Sequence, residues 1–145
     1  MKTLVIERIF KDEQVDYHLL DFCYNAGHDL CRQFDKTYDW RNFNLLDFAK
    51  KHRVMVCRRD KEIVGIMLSV LAPKLWDSDI MMCKQVLLYT TNAKATYLLL
   101  KDFIDFGKRN ADHIITMLTP QTNISDRSLR KLGFEPMETL YRMER

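Results

Sequence analysis

One stretch of the sequence constrains the fold more than any other. Between Lys94 and Arg109 the apolar residues Leu98, Leu99, Phe103 and Phe106 recur at helical spacing, with Lys101, Asp102, Asp105 and Lys108 between them. The pattern predicts an amphipathic helix with one face against a core. Apolar runs flank it on both sides: Ile80 to Thr90, ending Val86-Leu87-Leu88-Tyr89, and Ile114 to Leu118, which stops before Pro120. Strand, helix and strand in that order place two strands of one sheet beside each other with a helix crossing over it.

The chain upstream reads differently. Val54 to Cys57 and Ile63 to Leu68 are apolar runs too short for helices, and the polar segment Arg58 to Glu62 separates them, so they predict a hairpin with Asp60-Lys61 at its tip. Pro73 to Asp79 interrupts the pattern before the next strand. Thr3 to Phe10 comes close to alternation and predicts an opening strand. Asp12 or Asp16 can start a helix carrying Val15, Leu19, Phe22, Cys23 and Ala26 on one face, with Gly27 as a break or stop. Asn42 or Asn44 can cap a shorter helix with Leu45, Leu46, Phe48 and Ala49. Between them, Arg32 to Arg41 has no clean period and reads as a loop. A last helix spans about Ser125 to Leu132, Gly133 suits its left-handed end, and Phe134 to Met143 predicts a closing strand.

The resulting order is β-α-α-β-β-β-α-β-α-β, an α/β (α+β) fold with a mixed sheet, antiparallel early and partly parallel late. At 145 residues, without internal repeat or long linker, residues 1–145 form a single domain. A hydrophobic fraction of 47% beside 30% charged residues is globular, and no apolar run approaches the ~18 residues of a membrane span. The first ten residues mix Lys2, Glu7 and Arg8 among apolar ones and do not resemble a secretory signal, so the expected location is cytoplasmic, with no membrane partner. A net charge of +3 with interspersed signs argues against a nucleic-acid partner.

Cys23, Cys31, Cys57 and Cys83 show no CxxC pair and read as reduced, small buried residues. His18, Cys23, His28 and Cys31 lie within fourteen residues. On a continuous helix, however, Cys23 and His28 point roughly 140° apart, so no metal site is expected.

Local sequence supports a family resemblance. The stretch DKEIVGIMLS is similar to the hairpin of the GNAT superfamily of acyl-CoA N-acyltransferases. QVLLYTTNAKATYLLLKDFIDFGKRNADHIITML is similar to that family's cofactor strand, helix and next strand, and SLRKLGFEPMETLYRMER to its ending. The likeness covers Val54 to Arg145 in sequence and the first half by topology, and it is nearest to small divergent bacteriophage members. It implies an acetyl-CoA-dependent N-acetyltransferase acting on a small-molecule or protein amine, with acetyl-CoA (CoA) as co-substrate and room for a homodimer. The alternative it implies is a catalytically degenerate binding or structural protein on the same fold.

By that resemblance, pantetheine lies along Leu87, Leu88 and Tyr89, with the backbone N–H near Leu88 polarising the thioester carbonyl. Pyrophosphate then meets the helix start at Asn92, Ala93, Lys94, Ala95 and Thr96, where unpaired N–H groups and the helix dipole favour an anion. The family's glycines are absent from this turn. Lys94 offers a positive charge instead and Thr96 a hydroxyl, while an asparagine cap on an alanine-started helix is the alternative reading. Asn123 and Arg127 fall where relatives contact the cofactor, and Asn123 is equally explained as a helix cap.

The family's glutamate base aligns with Gln85, whose amide cannot take a proton, so water, Asp79, Glu138 or another group entirely would have to serve. The tyrosine that acts as general acid aligns with Leu129. Tyr89 and Tyr141 are the candidate replacements. Phe34, Tyr38 and Trp40, in the segment after the first helix, are the candidate acceptor contacts.

Overall fold

A computed structural model of the protein describes residues 3–33, 44–119, 122–138, 141 and 143. The chain opens with β1 (Leu4–Ile9) and a single 3-10 turn, followed by α1 (Tyr17–Gln33) and α2 (Leu45–Lys51). Then come β2 (Arg53–Arg59), β3 (Glu62–Lys74), β4 (Asp77–Thr90), α3 (Ala93–Asn110), β5 (His113–Ile115) and α4 (Asp126–Lys131). The five strands lie side by side in the order of the sequence. The first four pair antiparallel, while β4 and β5 run parallel because α3 carries the chain back across the sheet.

Alternation in the central strands builds two cores on one sheet. Val54 and Val56 of β2, with Ile66 and Leu68 of β3, pack against Leu19 and Phe22 of α1 and Leu45 and Ala49 of α2. Met55 and Cys57, with Val64 and Met67, face the other way against Leu99, Leu100 and Phe103 of α3 and Leu129 of α4. The architecture is three layers, helices on both faces of a mixed sheet.

Two glycines hold α3 close. A Cβ on Gly65 would sit 2.9 Å from Leu99 Cδ1, and one on Gly107 would sit 2.6 Å from Ile114 Cγ1. Arg53 fixes the middle of the same helix, with Nη1 2.8 Å from Asp102 Oδ2 and its guanidinium 4.2 Å from the centre of the Phe106 ring.

The expected elements stand with specific corrections. Asp60 takes φ 58° at the hairpin tip, and Gly133 takes φ 101° after α4. Helix α1 does not stop at Gly27; it passes through that buried glycine to Gln33, into the segment read as a loop. Packing of the α1 face on the sheet outweighs the roughly 1 kcal/mol a mid-helix glycine costs. Strand β3 likewise continues through Pro73 to Lys74, and a two-residue turn at Leu75 and Trp76 leads straight into β4. Proline is tolerated there because pairing with β2 has already ended at Ser69, which leaves an open edge.

Strand β5 is shorter than expected, ending at Ile115 with Thr116–Thr119 irregular. The expected closing strand is not formed over residues 134–138, which are irregular and largely exposed. Most of its remainder lies outside the described residues.

Candidate active site

The site is built where β4 and β5 part. Only Met82, Cys83 and Lys84 of β4 pair with β5, at His113, Ile114 and Ile115. Beyond Lys84, β4 runs on to Thr90 with β3 as its sole strand neighbour among the described residues. The register skips a residue just there: Ser69 opposes Gln85 and Leu68 opposes Leu87, so Val86 is bulged. A bulge adds local twist and turns the strand away from its old neighbour. The outcome is a wedge whose one wall is the open backbone edge of β4.

Gln85 ties the wedge at its narrow end. The side chain is 1% exposed, and its Oε1 accepts from the Thr116 hydroxyl and, at 3.3 Å, from the Met117 N–H. It satisfies the backbone where β5 has ended, a structural duty. The other substitute bases are no better placed. Asp79 is exposed six residues before Gln85, roughly 20 Å along an extended strand, and Glu138 is exposed in the irregular segment after α4.

The wide end of the wedge leads to α3. Asn92 is its N-cap, and the side-chain carbonyl accepts from Lys94 N at 2.8 Å and Ala95 N at 3.3 Å. Ala95 and Thr96 turn into the core, and the Thr96 hydroxyl is engaged with that of Thr90. Ala93 and Lys94 are exposed. An anion at this turn therefore meets the Ala93 N–H and the Lys94 ammonium directly, and reaches the next two N–H groups only when the Asn92 carboxamide swings aside. The asparagine-cap reading of the turn is observed, and the exposed Lys94 leaves an electropositive rim beside it.

Across the wedge, an open cavity of about 580 Å³ is lined by Leu118, Thr119, Asn123, Ile124 and Ser125. Asn123 takes φ 56° and is not a helix cap; Ser125 caps α4 by accepting from Ser128 N at 3.1 Å. Arg127 is exposed on the first turn of α4. Leu129, in the place of the family's tyrosine, is 7% exposed within the α3-side core. Tyr141 is 92% exposed.

Tyr89 faces the other side of the sheet. Its ring packs edge-on against Phe22 of α1 with centroids 5.5 Å apart, and its hydroxyl donates to Asp29 Oδ2. Burial first, then the hydrogen bond to Asp29 and its negative charge, push the phenol up to about 12. Held in that way it is a neutral donor to a carboxylate and a poor proton source for a thiolate. Phe34, Tyr38 and Trp40 lie outside the described residues.

Asp29, which holds the Tyr89 hydroxyl, was not singled out in the sequence reading. Its signal was present: Phe22, Ala26 and Asp29 stand at i, i+4 and i+7, so a carboxylate falls on the apolar stripe of α1. Among the described residues no cluster of three or more His, Cys, Asp or Glu could hold a metal, and no helix is long and apolar enough to cross a membrane.

A parted β4–β5 pair with a bulged β4, fed into a capped crossover helix, decides the fold. The chain has the GNAT fold. No protein-family model and no curated protein matches the sequence, whereas solved structures do. A ribosomal-protein-alanine N-acetyltransferase from Brucella melitensis biovar Abortus superposes with a TM-score of 0.68 at 12% identity, over 99% of this chain and 97% of that one. An aminoglycoside acetyltransferase from an uncultured soil metagenomic sample gives 0.62 at 13%, over 98% of each chain. A protein described as a transcriptional regulator from Bacillus halodurans gives 0.68 at 17%, over 98% and 99%. At these identities the likeness establishes the GNAT fold alone.

Proposed function

We propose that the protein is an acetyl-CoA-dependent N-acetyltransferase acting on an amine. The observation that carries this reading is the open, bulged edge of β4 from Gln85 to Thr90, running into the start of α3. An extended edge with unpaired amides suits an amide-bearing arm such as pantetheine, which then lies along Leu87, Leu88 and Tyr89. The Leu88 N–H polarises the thioester carbonyl. Ala93 N–H and Lys94 meet the pyrophosphate, Asn92 yields its two hydrogen bonds to it, and Asn123 and Arg127 border the far wall.

No side chain in the position of the usual base or acid supports proton transfer at the thioester, given Gln85 and Leu129. The amine therefore loses its proton to solvent or to a carboxylate on the acceptor side, and the departing thiolate is protonated from water. A slow enzyme follows from that chemistry, since a positioned general base contributes about 10²- to 10⁴-fold.

Calorimetry with CoA and acetyl-CoA tests the reading. Saturable binding below about 1 mM is expected, and Lys94→Glu should weaken it more than about tenfold, because an anion replaces the cation at the phosphate. The variant should keep its melting temperature, glutamate being a good first-turn residue. Absence of wild-type binding at that concentration would retire the acyltransferase. A GNAT-fold binding or structural protein would then be the better account, a reading favoured by one observation: Asn92 already fills the anion-binding N–H groups.

A further inference from the structure

The turn between β3 and β4 departs from the chemistry that hairpin turns favour. Two-residue turns prefer glycine, asparagine or aspartate, which accept the left-handed backbone that matches strand twist. Here the turn is Leu75-Trp76, neither residue has a positive φ, and the register shifts between Pro73 and Lys74 beside it. The two side chains gain little from folding, being 89% and 79% exposed, and Leu71 on the same ribbon is exposed as well. Single exposed apolar residues are ordinary, but two large neighbours on a projecting tip, where the turn itself asks for other residues, are placed for a contact outside the fold. That contact is made by side chains. Pro73 leaves the open edge of β3 a donor short and so makes it a poor template for an added strand.

Charge on either side of the turn identifies the partner. Lys74 precedes the turn and Asp77 follows it, opposite each other in register, yet no ion pair joins them among the described residues. The Lys74 ammonium instead lies 5.6 Å from the centre of the Trp76 ring, and the Asp77 carboxylate accepts from the Asp79 N–H at 3.2 Å. An apolar pair flanked by one cation and one anion is complementary to itself. A two-fold axis through the tip sets Lys74 of one copy against Asp77 of the other, twice over, with Leu75 and Trp76 of both copies between them. We propose that the β3–β4 tip is a self-association surface, where two copies of this chain meet through Leu75 and Trp76 and are held in register by reciprocal Lys74–Asp77 pairs. The contact is small, which makes it weak and concentration-dependent. Leu88 lies roughly 35 Å further along an extended β4, so association leaves the proposed cofactor edge open and does not depend on the acyltransferase reading.

Sedimentation velocity on the full chain, from about 10 μM to about 1 mM, tests the surface. Wild type should pass from monomer towards dimer across that range, and Trp76→Ser should stay monomeric. Lys74→Glu makes both flanks of the tip acidic and Asp77→Lys makes both basic, so each alone should associate at least about tenfold more weakly than wild type. An equimolar mixture of those two variants should regain the dimer, because an acidic tip then meets a basic one. These positions lie outside both cores, and the variants should melt close to wild type. A wild type that stays monomeric at the highest concentration overturns the proposal and needs no variant. Pelleting of such a monomer with phosphatidylcholine vesicles would assign the tip to a membrane surface instead. A dimer that survives Trp76→Ser is formed elsewhere on the molecule and overturns the proposal too, as does a mixture of the two charge variants that remains monomeric.

Discussion

Gln85 and Tyr89 stand four residues apart on β4 and serve opposite sides of the sheet. Gln85 looks like a lost catalytic residue when aligned with a family, but its burial and its two acceptor bonds make it a tie between β4 and the chain after β5. Gln85→Ala should therefore cost stability, about 1 to 3 kcal/mol by urea denaturation, because the Met117 N–H and Thr116 hydroxyl lose their buried partner. A neutral result would detach Gln85 from the architecture and return it to the chemistry. Tyr89 makes a pH-dependent contribution. Its folded-state value of about 12 lies above the 10.0 ordinary for a phenol, so folding favours the neutral form. That contribution is complete below about pH 10 and is lost as the pH climbs towards 12. The difference in stability between wild type and Tyr89→Phe should shrink across that window, measured as chemical denaturation at stepped pH; a difference that stays constant would mean that the phenol is not perturbed.

Elements were legible in the sequence where local pattern and tertiary packing agreed. Helix α3 shows a clean 3.6 period, and its cap, its buried stripe and its flanking strands all follow from residues 80–118. Gly27 and Pro73 misled because each is a local signal that packing and edge position overrode. The parting of β4 from β5 could not be read at all by period, since apolar strands look alike whether or not a neighbour is present; only family likeness pointed to it. Gly107 was invisible for a related reason, its role being an approach between elements far apart in sequence. Adding a methyl to a helical glycine ordinarily gains about 1 kcal/mol of helix propensity. Gly107→Ala should reverse that sign and cost about 1 to 3 kcal/mol, because the new Cβ would lie 2.6 Å from Ile114 Cγ1, and β5 is too short to yield without loosening the wedge. Thermal melts check it. A stabilised variant would show that α3 can lift from β5 freely, and the wedge would then lack a rigid wall.

At the scale of the whole molecule, the two cores are separate in contact and joined in the strands. Leu19 lies in the α1–α2 core and Phe103 in the α3 core, both essentially unexposed, with the sheet between them. Strands β2 and β3 send alternate residues into each, so neither core can dissolve while the sheet persists intact. Leu19→Ala and Phe103→Ala should each cost about 3 to 5 kcal/mol, a large share of the 5 to 15 kcal/mol typical of a domain. Each should shift the entire transition, with far-UV circular dichroism and near-UV signals moving together. Their costs should also add, because residues on opposite faces share no direct contact, to within about 0.5 kcal/mol. If Leu19→Ala instead split the transition, leaving the α3 side folded while α1 and α2 melted, the α1–α2 side would be a separately unfolding layer. Asp29 and Tyr89 would then be joined only while that layer is docked, and the open edge of β4 at Tyr89 would lose its cover with it.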